Sequence, residues 1–324
     1  MEQSHARGYF QSTWWIRAVA ETYGYKPVNV AEFRGSSIFF MLVSSPLTGR
    51  RLLCLPFVDY SLFMEENGDL SRNLAEKIWG LMEKLGLDYV EIRGLGKSDF
   101  LDRYFQRVEI FSTFRVKIGD EDEMYAKLDR RFRQSIRVAR QSNVDVVLDN
   151  SFEGLKILYR LNLFVRKKHG VPIQPFAFFR NVWKYGILNG NGFILIAKLD
   201  GKPIAGIMFL RDKGILFAKY NGSLKEFLNL RPNHLIYWEA LKLARKMSLE
   251  YLDLGRTGIN EDNLRRFKRT MGAEEKLLTY YIFPPAKATE VYDKFKSGLT
   301  NRILKSAPLF VNRSIGELLY KHFA

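Results

Sequence analysis

A repeated helix-then-strand pattern constrains the fold of this chain more than any other feature. Residues 70–93 and 233–256 each predict a helix followed by a short apolar strand. The two strands end alike, as Tyr-Val-Glu-Ile-Arg93 and Tyr-Leu-Asp-Leu-Gly-Arg256. Candidate antiparallel strands precede both segments. The pattern therefore indicates a long-period duplication of one supersecondary unit.

The remaining elements extend this duplication. The first repeat predicts a helix at 14–23, strands at 28–33, 37–43 and 50–57, a helix at 71–85, and strands at 89–92 and 108–117. The second predicts helices at 121–141, 152–169, 176–188 and 233–246, and strands at 144–148, 192–198, 202–210, 214–220, 249–254 and 276–283. In each repeat, antiparallel strands are followed by one helix and one further strand. This order predicts an α+β fold with mixed, largely antiparallel sheets flanked by helices. We place the first domain at 1–118, the second at 119–285, and a basic amphipathic helical extension at 286–324.

Composition is that of a globular chain with a strong positive charge. Its 324 residues, 47% of them hydrophobic, suffice for two domains. The formal net charge of +16 predicts an anionic partner, which is a nucleic acid, an anionic lipid surface or a phosphorylated substrate. The four histidines, His5, His169, His234 and His322, show no metal-ligand spacing, so we expect no metal.

The sequence also bears on location. The first residues lack the apolar core of a secretory signal, and no apolar run approaches the roughly 18 residues of a membrane span. The single cysteine, Cys54, lies in an apolar run and is expected to be a small buried hydrophobe. These features favour the cytoplasm, with contact at the inner face of the membrane left open.

One segment has the arrangement of a functional site. An apolar strand ends in Asp253-Leu-Gly-Arg-Thr257, and a short basic helix with Phe267-Lys268 follows before Gly272. A lysine just beyond the carboxyl end of a strand can meet negative charge that develops in a cleft. A solvated basic helix face explains the same spacing, and Asp253 with Arg256 forms a candidate ion pair that orients the loop.

Six segments in order resemble a known family. They are Pro56-Phe-Val-Asp59-Tyr60, Phe132-Arg-Gln-Ser-Ile-Arg137, Gly201-Lys-Pro-Ile-Ala-Gly206, Arg231-Pro-Asn-His234, Asp253-Leu-Gly-Arg256 and Phe267-Lys268. Their order resembles the FemAB/FemX-like peptidyltransferase group of the GNAT (Gcn5-related N-acyltransferase) superfamily, over about residues 1–285. The likeness is greatest to shorter bacterial FemAB-related proteins associated with exopolysaccharide or protein-sorting loci.

The resemblance implies twin GNAT-like domains that transfer an acyl group to an amine. In the best-known members the donor is charged tRNA and the acceptor is a peptidoglycan precursor, so the donor is a substrate and no cofactor is expected. An acetyl-CoA-dependent N-acetyltransferase is the alternative, although the glycines that usually cradle pyrophosphate are missing after Arg231. A non-catalytic nucleic-acid or membrane-surface module is the third reading.

The resemblance also implies site residues. Lys268 matches the family's channel lysine, which is thought to steady the charge on the acyl carbonyl. Candidate catalytic residues are Lys268, Tyr220 and Asp59. Candidate substrate-binding residues are Phe267, Tyr60, Arg231, Asn233, His234, Arg256, Arg130, Arg133 and Arg137. Several have plainer explanations: Tyr220-Asn-Gly222 as a turn, Asn233 as a helix cap, Asp59 in a turn, and His234 as a satisfied polar residue.

Two basic segments are candidate anion-binding surfaces. Arg130, Arg133, Arg137 and Arg140 share one face of the predicted 121–141 helix, which suits tRNA phosphates or the diphosphate of a lipid-linked precursor. A solvated face is the alternative. The extension 286–324 has apolar residues at helical spacing with basic residues around them, so it either lies on an anionic membrane or packs on the second domain.

Overall fold

The computed structural model describes residues 10–33, 36–63, 68–293, 305 and 308–322, and their contacts divide the chain into two units. Unit 1 is drawn from Met1–Ser112, Leu277–Leu299 and Leu318–Ala324, and unit 2 from Thr113–Lys276 and Thr300–Glu317. The first boundary therefore follows residue 112, where the sequence pattern places it after 118. Most of the strand predicted to close the second domain belongs instead to unit 1.

The elements follow in chain order. Up to residue 117 they are α1 (Thr13–Tyr23), β1 (Lys26–Phe33), β2 (Ser36–Ser45), β3 (Gly49–Leu53), β4 (Leu62–Phe63), α2 (Gly68–Leu85), β5 (Tyr89–Leu95), α3 (Asp99–Asp102) and β6 (Gln106–Lys117). They continue with α4 (Glu121–Lys127), α5 (Arg130–Gln141), β7 (Val144–Leu148), α6 (Phe152–His169), α7 (Phe176–Tyr185), β8 (Gly192–Leu199), β9 (Lys202–Asp212), β10 (Ile215–Ser223) and α8 (Pro232–Lys246). The last are β11 (Tyr251–Asp253), β12 (Thr257–Gly258), α9 (Asp262–Arg269), β13 (Glu274–Phe283), α10 (Ala288–Asp293) and α11 (Leu309–Leu319).

Unit 1 contains three antiparallel strands followed by a helix and a parallel strand. β1, β2 and β3 are antiparallel, α2 follows, and β5 then pairs in parallel with β3, with Leu52 opposite Val90. α2 buries Leu74 and Ile78, four residues apart on one helix face, in the same core as Val90. β13 adds an antiparallel neighbour to β5.

Unit 2 repeats this plan. β8, β9 and β10 are antiparallel, α8 follows, and β11 then pairs in parallel with β10. β7 extends the sheet beside β8, and β11 is antiparallel to β6. The expectation of twin units with mixed, largely antiparallel sheets is therefore confirmed, and the repeat is visible in the strand pairing itself.

Alternation along β9 assigns the helices of unit 2 to the two faces of its sheet. Ile207 and Phe209 join the core formed with α5 and α8. Gly206, directly before Ile207, lies on the opposite face, where an added Cβ would contact Leu158 of α6. α5 and α8 therefore cover one face, while α6 packs on the other.

Two local predictions were wrong in extent or kind. The third strand ends at Leu53, not residue 57, because Leu55 and Phe57 have positive φ values of 25° and 66°. The predicted 121–141 helix is two helices, because Leu128 is extended and the Asp129 side chain caps α5 by accepting from the Arg131 backbone N–H at 2.7 Å.

The described part of the extension packs on the protein. In unit 2, buried Asn312 of α11 accepts from the Ile173 backbone N–H and donates to the Val171 carbonyl, each at 3.1 Å. In unit 1, the His322 carbonyl accepts from the Arg51 guanidinium at 2.8 Å. Several residues on which the amphipathic pattern rests lie outside the described residues, namely Phe295, Leu299, Ile303, Leu304 and Phe323.

Candidate active site

Two parallel strands of unit 2 separate at the point where the sequence predicts a site. β10 and β11 are paired only from Ile215 opposite Tyr251 to Phe217 opposite Asp253. Beyond that point β10 continues to Ser223, whereas the backbone N–H of Leu254 bonds to the Phe114 carbonyl of β6 at 2.8 Å. The chain after β11 thus follows β6 and leaves an opening, the β10–β11 wedge, between residues 218–223 and 254–256.

The corresponding opening in unit 1 is filled. β3 and β5 also pair over three residues, from Arg51 opposite Tyr89 to Leu53 opposite Glu91. There, however, the short strand β4 pairs in parallel with Gly94 and Leu95 of β5. In unit 2 no strand of the described chain takes the corresponding place beside the residues that follow β11, and none replaces β11 beside β10 past Phe217. The repeat thus leaves an unfilled strand edge in unit 2.

A buried carboxylate fixes the turn from β11 into the loop. Asp253 is fully buried and accepts from the Thr113 hydroxyl at 2.7 Å and the Gly255 backbone N–H at 2.8 Å. Arg115 of β6 lies 3.3 Å away and is also buried. Asp253 thus forms a buried ion pair with Arg115, and the pairing with Arg256 proposed from the sequence stays a prediction.

Lys268 lies beneath that loop. Its side chain is buried, and its ammonium donates to the Gly255 carbonyl at 2.6 Å and lies 3.4 Å from the Arg256 carbonyl. The same ammonium is 5.3 Å from the centre of the Phe114 ring. A buried ammonium bound to main-chain carbonyls is not a solvated surface lysine, so Lys268 fixes the rim of the wedge.

Phe267 and His234 contact each other in an aromatic cluster with Phe132. The His234 ring centre lies 5.3 Å from Phe267 and 4.8 Å from Phe132. Burial, with a smaller contribution from the Arg231 charge, lowers the pKa of His234 to about 4. Its buried Nδ1 atom has no hydrogen-bond partner in the described part of the chain. A neutral imidazole at physiological pH is a weak general base.

The first turn of α8 differs from its predicted cap. The helix begins at Pro232, and Arg231 is the cap residue, with φ of 59° and an exposed side chain. Asn233 therefore lies inside the helix, where its amide lies 3.4 Å from the Ser223 hydroxyl at the end of β10. This contact brings the start of α8 to one arm of the wedge.

A bulge determines where Tyr220 faces. Tyr220-Asn-Gly222 is part of β10, not a turn. The register with β9 shifts between Ala218 and Tyr220, so Tyr220 pairs with Met208 and lies on the α6 face. Its ring contacts Phe179 of α7 at 4.8 Å. Gly222 is required there because a Cβ would overlap the α6 backbone at Leu161. Tyr220 and the His234 cluster thus occupy opposite faces of the sheet.

The predicted residues of unit 1 lie in the segment after β3. The backbone carbonyl of Asp59 accepts from the Tyr280 hydroxyl at 2.5 Å, and the Asp59 residue is half-buried. Tyr60 is buried, with 2% of its surface exposed. The roles of both residues in catalysis and binding stay predictions.

The predicted arginines belong to α5. Arg130 and Arg137 are exposed, and Arg133 is partly buried. On the other side of the helix Phe132, Ile136 and Ala139 are buried in the core. Arg140 differs, because its guanidinium lies 3.6 Å from the Glu239 carboxylate. α5 therefore presents exposed cations on a rigid, core-anchored helix.

Sequence reasoning missed Thr113, Phe114 and Arg115. These residues of β6 hold Asp253, Leu254 and Lys268 in place, although they precede them by about 140 residues. The signal available was a buried-strand pattern with one arginine inside it. Such an arginine needs an acidic partner, but the pattern does not identify which one.

The described residues contain neither a cluster of metal-binding side chains nor a helix able to span a membrane. No three His, Cys, Asp or Glu side chains there are grouped so as to hold a metal ion. Of the helices in that part of the chain, none is both long and apolar enough to cross a membrane.

Comparisons with known proteins agree with this geometry. Residues 126–269 match a family model described as an acetyltransferase (GNAT) domain, a range that contains the wedge. The fold is similar to the crystal structure of FemX, with a TM-score of 0.71, 15% identity, and coverage of 91% of this chain and 96% of FemX. No curated protein matches the chain in sequence.

Two further solved structures have a similar fold. One is the C-terminal DUF2156 domain of a putative lysylphosphatidylglycerol synthetase from Agrobacterium fabrum, with a TM-score of 0.62, 12% identity, and coverage of 89% of this chain and 93% of that one. The other is L-PGS from Bacillus licheniformis, with a TM-score of 0.57, 9% identity, and coverage of 93% of this chain and 98% of that one. These identities show the fold alone, and the family model indicates a GNAT-type domain over residues 126–269. Residues 126–269 of this chain are therefore similar to GNAT acetyltransferase domains, and the chain as a whole has a FemX-like fold.

Proposed function

We propose that this protein forms an amide by moving an aminoacyl group from charged tRNA to an amine of a cell-envelope or polysaccharide-related acceptor. The observation that carries the proposal is the open β10–β11 wedge of unit 2. An unfilled strand edge offers main-chain N–H and C=O groups to an extended ligand. The FemX-like fold supports an aminoacyl group as that ligand.

The chemistry needs orientation and charge more than a covalent nucleophile. The acceptor nitrogen attacks the ester carbonyl of the aminoacyl-tRNA, a C–N bond forms, and the C–O bond to the ribose breaks. One proton leaves the amine, and one is taken up by the ribose oxygen. The intermediate carries an oxyanion, which a fixed positive charge stabilises. Lys268 is the buried cation at the rim of the wedge, so it is our candidate for this charge.

Charge supports the choice of donor. The chain carries a net charge of +16, and α5 presents the exposed cations Arg130 and Arg137 on a rigid helix. A polyanion such as tRNA binds cations of this kind by displacing its condensed counterions. Lysylphosphatidylglycerol, after which one similar protein is named, is itself a phospholipid that carries an aminoacyl group. That name supports an acceptor in the cell envelope.

An acetyl-CoA-dependent N-acetyltransferase is the second candidate, and the acetyltransferase description of the family model favours it. The start of α8 disfavours it. A diphosphate is commonly held by free backbone N–H groups at a helix N-terminus. Here Pro232 has no N–H, and the residue before it in the left-handed conformation is Arg231, not glycine.

Product analysis distinguishes these candidates. The full chain is incubated with cell-envelope extract and either a mixture of charged tRNAs or acetyl-CoA, and the products are analysed by mass spectrometry. We expect an aminoacyl mass increment that requires charged tRNA and resists mild base, because an amide survives conditions that cleave an ester. An acetyl increment alone supports the second candidate. Binding of tRNA without any product supports a non-catalytic module and contradicts the proposal.

A further inference from the structure

A basic surface with exposed phenylalanines lies on unit 2, and the wedge does not account for it. It consists of Phe164 and Lys168 near the end of α6, Phe310 at the start of α11, and Lys305. Phe310 is 70% exposed and Phe164 is 46% exposed. Lys168 and Lys305 are exposed as well. We refer to these four residues as the basic phenylalanine surface.

Contacts place the two parts of this surface next to each other. Asn312, two residues after Phe310, bonds to the backbone of Val171 and Ile173, which directly follow α6. Gly316 fits so closely there that an added Cβ would overlap the Ile173 carbonyl. α11 is therefore held in a fixed position against the segment that directly follows α6.

The charges on this surface are predominantly positive. Burial is the main reason that the pKa of His169 is lowered, and the nearby charges of Lys168, Arg166 and Lys305 lower it further. The carboxylate of Glu261 acts in the opposite direction. Arg313 contributes little net charge because it pairs with Glu317 at 2.9 Å. Lys168 and Lys305 thus lie close enough to His169 for their charges to act on it.

We propose that the basic phenylalanine surface binds the interface of an anionic lipid membrane. Phenylalanine rings have no hydrogen-bonding groups, so their exposure to water is unfavourable unless an apolar phase receives them. Phe164 and Lys168 are four residues apart on one face of α6, which places a ring and a cation side by side. An acyl-chain boundary beneath anionic headgroups takes up both groups together.

A nucleic acid fits this surface less well. A phosphate backbone would use the lysines but would leave the phenylalanine rings in water, unless unpaired bases stacked on them. The packing of α11 also favours a membrane contact through its outer face, because Asn312 and Gly316 on its inner face already contact the protein. Only the outer face, with Phe310, is available to a partner.

Vesicle co-sedimentation of the full chain tests this proposal without donor or acceptor, so the result does not depend on acyl transfer. The probes are phosphatidylglycerol–phosphatidylcholine vesicles and pure phosphatidylcholine vesicles. We expect binding to the anionic vesicles only. The variants Phe164→Ser with Phe310→Ser, and Lys168→Gln with Lys305→Gln, should each weaken this binding by about tenfold or more. Far-UV circular dichroism and thermal unfolding confirm that the variants fold.

Matched controls distinguish binding through this surface from non-specific hydrophobic or electrostatic binding. Leu188→Ser removes another exposed hydrophobe of unit 2, and Lys117→Gln with Lys246→Gln removes two other exposed charges. Both should bind vesicles like the unaltered chain. Equal losses in the controls overturn the proposal, and so does absence of binding to anionic vesicles. Loss of tRNA binding with unchanged vesicle binding in Lys168→Gln with Lys305→Gln would also overturn it and identify a nucleic-acid surface.

Discussion

The ammonium of Lys268 donates a 2.6 Å hydrogen bond to the backbone carbonyl of Gly255. This bond joins α9 to the loop that forms one arm of the β10–β11 wedge. Lys268 therefore does two things in our account, since it holds the loop and brings a positive charge to its rim. A residue that holds the loop affects stability, and a residue that faces the oxyanion affects turnover.

Lys268→Met should destabilise the protein modestly. The substitution keeps most of the buried volume but leaves the Gly255 carbonyl without its donor, which costs about 1–3 kcal/mol. Chemical denaturation measures the change in the free energy of unfolding. Arg266→Met is the control, because Arg266 is an exposed residue of the same helix. An unchanged stability of Lys268→Met would show that the bond to Gly255 contributes nothing.

Asp253→Asn should be among the most destabilising substitutions in unit 2. Asparagine can still accept from Thr113 and Gly255, but the buried Arg115 loses its carboxylate, and breaking a buried pair costs about 3–5 kcal/mol. Equilibrium denaturation checks this value. Adding Arg115→Met should recover part of the loss, because the uncompensated charge is then removed. If the two substitutions were simply additive, the pair would not be coupled.

Stability should depend on pH through His234. Its folded pKa of about 4 lies below its ordinary value of 6.5, so the unfolded chain binds more protons between these values. The free energy of unfolding is therefore greatest above pH 6.5 and falls as the pH drops to about 4, by roughly 3 kcal/mol from this group. Urea denaturation between pH 4 and 7.5 should give a shallower pH dependence for His234→Gln. Parallel curves for the two proteins would contradict this assignment.

Gly316→Ala should destabilise the protein, although alanine favours helices. In an ordinary helix interior the change from glycine to alanine stabilises by about 1 kcal/mol. Here the new methyl group would overlap the Ile173 carbonyl, and overpacking costs about 1–3 kcal/mol. Thermal unfolding gives the sign of the net effect. Ser314→Ala, an exposed position of α11, should show no loss. A more stable Gly316→Ala would mean that α11 does not pack closely.

The exposed arginines of α5 should contribute to tRNA binding. Arg130→Gln with Arg137→Gln should lower the affinity and reduce the slope of log affinity against log salt by about 1–2, because each phosphate contact contributes about 0.9. Filter binding over a salt series measures this slope. Arg140→Gln is the matched control, since its charge lies near Glu239. Unaltered slopes in the double variant would make α5 a solvated face.

Local signals in the sequence predict the helices of unit 2 well. The bounds of α6 were confirmed at both ends, because the Ser151 hydroxyl accepts from the Gly154 backbone N–H and Gly170 adopts the left-handed conformation at the helix end. The break between α4 and α5 was missed because basic residues continue across it. The Asp129 cap was the available signal, and the basic periodicity obscured it.

The candidate site was harder to predict because its contacts are long-range. The segment Asp253 to Lys268 was identified from spacing, but its partners on β6 are remote in sequence. A strand pattern of period 2 also places Tyr220 on the wrong face, since the bulge after Ala218 reverses the alternation. Neither a remote partner nor a bulge leaves a mark on the periodicity of a single sequence.

The central claim is that the wedge with Lys268 at its rim transfers an aminoacyl group to an amine. The most direct measurement is the rate of the base-stable aminoacyl product by mass spectrometry, with charged tRNA and envelope extract, for the unaltered chain, Lys268→Met and Arg266→Met. We expect product from the unaltered chain and from Arg266→Met. For folded Lys268→Met we expect the rate to fall by about 100-fold or more, which is the loss expected for one oxyanion-stabilising group. Equal rates in all three proteins, or no tRNA-dependent product from any of them, would contradict the account.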